Sequence, residues 1–125
     1  MVDLSDLIGV PFVEFGRDSK KGLDCYGLAI EVCKRYGKKL NDVVLEKFDH
    51  NRVIKILPTL NLKKIDYIEE CSILEFYGIN DNRLHVGIAI NKNQFIHATE
   101  NQGVRISTIQ SVKTILKLYG IYRVT

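Results

Sequence analysis

At 125 residues the chain is the size of one domain, and its 46% hydrophobic and 26% charged residues suit an ordinary globular core. The net charge of +3 comes from 18 basic residues scattered among 15 acidic ones, without the dense basic stripe of a nucleic-acid binder. No apolar run is long enough to cross a bilayer, and three widely spaced cysteines do not make a disulfide framework, so membrane insertion and a stapled scaffold are both excluded.

The opening Met1-Val2-Asp3-Leu4-Ser5-Asp6 is too polar for a signal peptide, which predicts a protein made in the cytoplasm. Residues 4–9 are predicted as a short helix ended at Gly9-Val10-Pro11, and residues 12–23, with two glycines and three basic residues, as a loop. From Asp24 the pattern changes. Cys25, Leu28, Ala29, Val32, Cys33 and Tyr36 fall on one face of an α-helix. Asp24 can cap its free N–H groups, and Gly37 followed by two lysines is a stop signal.

Residues 51–57 are predicted as a second helix, capped by Asn51 and broken near Pro58. Strands follow at 73–77, 84–90, 94–98, 102–107 and 119–124, with Asn91-Lys92-Asn93 turning the second into the third. Helices first and consecutive strands after them imply an α+β domain with a mainly antiparallel, five-stranded sheet. No repeat or linker divides the chain, so residues 1–125 are read as one domain.

Cys25 would open the first long helix, where the macrodipole and unpaired N–H groups favour a thiolate and lower its pKa. Cys33 lies two turns further along the same stripe, too far for a shared site, and is assigned to the core; Cys71 is assigned to packing. His50 sits in a polar stretch and reads as a solvated surface residue. His85 and His97 lie in the two strands of one hairpin. A three-residue loop would set residue 90 opposite 94, Gly87 opposite His97, and His85 diagonal to His97 on the same sheet face. Gly87 and Ala89 would leave that face shallow enough for a helix end.

A cysteine activated by a histidine that a third polar group orients is the general triad arrangement, here Cys25, His85 and His97. The same three residues could in principle ligate zinc, but they lack the close spacing of metal ligands, so no metal and no cofactor are expected.

Three blocks then resemble the NlpC family of cell-wall cysteine peptidases. They are Leu7-Ile8-Gly9-Val10-Pro11-Phe12 through Gly16-Arg17-Asp18 to Gly22-Leu23-Asp24-Cys25-Tyr26-Gly27-Leu28, then Leu84-His85-Val86-Gly87-Ile88-Ala89-Ile90, then Phe95-Ile96-His97-Ala98 with Gly103-Val104-Arg105-Ile106-Ser107. The resemblance implies a papain-like fold with the cysteine helix packed on an antiparallel sheet. It implies Cys25 as nucleophile, His85 as base and His97 as the orienting residue. It also implies peptidoglycan stem peptides as substrate, with Asp24 and the position held by Tyr26 contacting them.

The Gly-Arg-Asp block and the aromatic residue after the cysteine resemble members encoded by phages and prophages. That subtype implies virion association, tail proteins as partners and action at the cell wall. The chain departs from the family at Tyr26, usually Ser, at Phe12, usually Tyr, and at Cys71-Ser72, usually Gly-Asp. Phe12 has no hydroxyl to offer an oxyanion. The alternative function is therefore a structural tail-assembly protein that keeps the fold with weak or no hydrolysis.

Overall fold

The computed structural model describes residues 2–43 and 59–125. His50 and the helix expected over 51–57 lie outside the described residues.

The long helix α1 (Cys25–Arg35) starts and stops where its local chemistry dictates. Asp24 adopts an extended conformation, and its carboxylate accepts the Gly27 N–H at 2.7 Å. At the other end Gly37 takes φ +76°, a left-handed conformation that a side chain would disfavour. The Lys38 N–H then bonds the Cys33 carbonyl at 2.8 Å and the Gly37 N–H bonds that of Lys34 at 3.0 Å, the paired bonds of a Schellman stop. The helix expected over 4–9 is shorter than predicted, a single 3-10 turn at Ser5–Leu7. The loop expected over 12–23 carries a small antiparallel ladder of β1 (Arg17–Asp18) and β2 (Gly22–Leu23).

The main sheet contains β3 (Leu62–Ile65), β4 (Ile73–Gly78), β5 (Leu84–Ala89), β6 (Gln94–Thr99), β7 (Gly103–Thr108) and β8 (Leu116–Val124). Their spatial order is β3-β8-β4-β5-β6-β7, and every pairing is antiparallel. All five expected strands are present, and the expected five-stranded sheet is corrected to six. The extra strand, β3, reads Leu-Lys-Lys-Ile and breaks the two-residue alternation that marks a half-buried strand. It is an edge strand, where adjacent lysines are tolerated and discourage pairing with other chains.

The sheet has an apolar core on each face. On one side Leu28, Ala29, Val32 and Cys33 of α1 pack with Val86, Ile88, Ile96 and Ala98. On the other, Leu74, Phe76, Ala89, Phe95 and Val112 form a second cluster. Strand alternation puts His85, Gly87 and His97 on the second side. Gly87 is indeed opposite His97, but the space it leaves is taken by Phe95: a Cβ there would sit 2.6 Å from the Phe95 ring. The body of α1 lies on the opposite face, and only its N-terminal tip approaches the histidines. Among the described residues no helix is long and apolar enough to cross a membrane.

Candidate active site

A cleft of about 470 Å³ opens where β5 begins and β6 ends. Cys25, His85 and His97 all line it, with Phe12 and Leu116 among its apolar residues. Its size is that of a ligand site.

Cys25 is half-buried at the first position of α1. The backbone N–H groups of Val86, Tyr26 and Cys25 itself act on its sulfur to lower its pKa. These donors favour a thiolate, as the sequence leads one to expect, but they do not prevail. Burial, with a smaller push from the Asp24 charge, raises the thiol to about 11. Burial also lowers His85 to about 4, against the opposing charge of Glu100. His97 is lowered to about 3, first by burial and then by His85 and Arg105. Burial thus favours the neutral forms of the thiol and of both imidazoles.

The two rings are joined directly. His85 Nε2 lies 2.7 Å from His97 Nδ1, with the ring planes at 81°. His97 Nε2 lies 2.8 Å from the Ser107 hydroxyl. Phe95 covers His97 at 4.5 Å between centroids, and His97 is only 4% exposed. Ser107 closes the third block of resemblance, which assigns it no role. Its position follows from the register of β6 with β7, which sets Phe95 opposite Ser107 and His97 opposite Arg105. Extending the hairpin reasoning one strand further would have found it.

Asp24 lines the cleft but is heavily engaged in structure. Its Oδ1 accepts from Gly27 N–H and, at 2.8 Å, from Arg17 Nη1; its Oδ2 accepts from Phe15 N–H at 3.2 Å. Tyr26 is not brought to the cleft. It is 2% exposed, donates its hydroxyl to the Asn41 carbonyl at 2.5 Å, and carries the Arg17 guanidinium 5.9 Å from its ring centroid. Cys33 and Cys71, both buried, act on each other, which raises the Cys33 thiol and lowers that of Cys71. Among the described residues no three His, Cys, Asp or Glu side chains are grouped as metal ligands.

These positions make a labelling prediction. Iodoacetamide should modify Cys25 before Cys33 and Cys71, which are 0% and 3% exposed. Because a group with a raised pKa becomes charged only as pH climbs, the Cys25 rate should rise about tenfold per pH unit between pH 6 and 9. A rate already flat over that interval would reveal a standing thiolate–imidazolium pair and refute the neutral resting state.

Comparison with known proteins places these features in a family. A family model described as "NlpC/P60 family" matches residues 9–123. The murein DD-endopeptidase MepS/murein LD-carboxypeptidase of Escherichia coli strain K12 is 28% identical over 110 residues, covering 87% of this chain and 53% of that protein. Its counterpart in Escherichia coli O157:H7 matches to the same extent. The chain thus spans about half the length of the curated relatives it matches. The solved NlpC/p60 domain of the peptidoglycan hydrolase SagA superposes with a TM-score of 0.61 at 22% identity, over 95% of this chain and 91% of that one. A Staphylococcus aureus subsp. aureus Mu50 protein, described as similar to lipoprotein of the NLP/P60 family, gives 0.58 at 20% identity, over 94% and 37%. The structural likenesses show the shared fold.

Proposed function

The chain belongs to the NlpC/P60 family, and from that premise we propose that it is a cysteine endopeptidase cutting peptide bonds in the stem peptides of peptidoglycan. The observation that carries this reading is the cleft holding a helix-tip cysteine beside a histidine that is bonded to a second histidine. The murein endopeptidase name of the relatives supports the substrate class.

In this mechanism the Cys25 sulfur attacks the scissile carbonyl while His85 takes its proton. The oxyanion forms at the tip of α1, where the Cys25 N–H can donate. The His85 imidazolium then protonates the leaving amine, and the acyl group remains on sulfur as a thioester. His85 next takes a proton from water, which attacks the thioester and releases the carboxylate and the thiol. His97 accepts the His85 Nε2–H and stabilises the positive charge that forms and disappears twice per turnover.

Phe12 favours a second reading, a tail-assembly protein with weak hydrolysis, since it lines the cleft with a ring that has no oxyanion donor. The resemblance of the Gly16-Arg17-Asp18 block to phage and prophage members supports a tail component in either case, and detection of the chain in purified virions would test that role. Digestion of purified peptidoglycan, with products read by mass spectrometry, tests the enzyme. The expected result is new stem-peptide termini that are absent with Cys25→Ala. Equal products from both proteins would remove Cys25 from the reaction.

A further inference from the structure

We propose that Ser107 is a positioning residue that lets His97 carry its proton on Nε2, the arrangement in which His85 can act as a base. The inference rests on reading Cys25 as nucleophile and His85 as base.

His85 Nε2 is committed to His97 Nδ1 at 2.7 Å, so Nδ1 is the ring nitrogen of His85 left to take a proton from the thiol. To take a proton there, neutral His85 must carry its own proton on Nε2 and donate it to His97. His97 Nδ1 must then be an acceptor, which puts the His97 proton on Nε2. That nitrogen lies 2.8 Å from the Ser107 oxygen, and His97 is only 4% exposed. The hydroxyl accepts this proton.

The opposite arrangement is also hydrogen-bonded, with all three donors reversed: Ser107 donates to His97 Nε2, His97 Nδ1–H donates to His85 Nε2, and the His85 proton moves to Nδ1. In that arrangement His85 presents a proton to the thiol and cannot act as its base. Ser107 therefore has a role beyond filling space. With no oxygen at this position, His97 Nε2–H would be a buried donor without a partner, an orphan that folded proteins rarely keep. The ring would then prefer Nδ1–H, and the pair would move to the inactive arrangement. Two other charged side chains act on the histidines. Arg105, on the same face of β7, faces His97, and Glu100 acts on His85. Neither is hydrogen-bonded to His97 Nε2, whose partner is Ser107.

Thr and Val at position 107 separate the two roles, because they have the same shape and differ only in a hydroxyl against a methyl. Both suit a strand. Ser107→Thr should keep kcat near the parent value. Ser107→Val should lose about tenfold in kcat with KM unchanged, the scale of losing an orienting partner. Nitrogen-15 NMR of the imidazoles gives a readout that a purely structural residue would not move. His85 and His97 should both be Nε2–H in the parent and in Ser107→Thr, and both should shift toward Nδ1–H in Ser107→Val. Identical tautomers in the Thr and Val variants would overturn the proposal. The NMR result stands whether or not the protein cuts peptidoglycan, so failure of hydrolysis in the parent would count against the enzyme reading alone.

Discussion

His85→Ala should reduce kcat/KM for hydrolysis of wall fragments by about 10³-fold or more, because it removes both the acceptor of the thiol proton and the donor to the leaving amine. The resting charge state makes the loss severe. With the thiol raised to about 11, almost no thiolate exists at neutral pH without a base to take the proton during attack. His97→Ala should retain slow turnover, since it removes orientation and charge support but leaves the base. His97→Asn should recover part of that loss: its amide oxygen can accept the His85 Nε2–H. The Phe95 ring against His97 means that the alanine variant also opens a cavity, so each variant is compared by circular dichroism and melting before its rate is read. A folded His85→Ala protein with nearly unchanged hydrolysis would remove His85 as the base and bring the tail-assembly reading forward.

The second large effect should come from outside Cys25, His85 and His97. Arg17→Leu is expected to destabilise the protein by about 2 kcal/mol in urea unfolding, between the values for exposed and buried ion pairs. The Asp24 side chain is 8% exposed and that of Arg17 27%, so the pair is neither fully dry nor free in water. Removing the cation leaves a buried carboxylate with only the Gly27 and Phe15 N–H groups to satisfy it. Arg17→Leu combined with Asp24→Asn should recover part of the loss, because the neutral amide no longer needs a counter-ion. A urea midpoint unchanged in Arg17→Leu would show that the backbone donors alone hold Asp24. The same pair fixes the tip of α1 on which Cys25 stands, so hydrolysis should fall along with stability.

What could be read from the residues alone was what local chemistry decides. The cap at Asp24, the stop at Gly37 and the apolar stripe between them define α1 without reference to the rest of the chain. The short turn after β5 fixes the hairpin register, and with it the proximity of His85 to His97. What escaped depends on long-range packing. No pattern in residues 84–98 says which sheet face the helix will cover, and the small residues there leave space for Phe95 instead. Tyr26 follows the cysteine in sequence, but the helical turn carries it to Asn41 and Arg17, away from the cleft. Cys33 and Cys71 are far apart along the chain and were each assigned to packing, yet each shifts the other's thiol. The strand at 62–65 lacks alternation, because an edge position next to β8 imposes little on it.

The place of β8 in the sheet has a consequence for timing. Residues 116–124 do not extend the sheet at its margin; they lie between β3 and β4 and pair with both. During translation β4 to β7 can form their meander as they emerge, but β3 has nothing to join, and one side of β4 stays open, until residue 124 has cleared the ribosome. Val124 and Tyr122 also belong to the core under α1. The helix that presents Cys25 thus precedes every strand of the main sheet in the chain and is fully supported only when the last of them is in place. A nascent chain cannot brace the cleft until β8 has emerged, and truncation before residue 116 would leave an unfinished sheet with exposed strand edges.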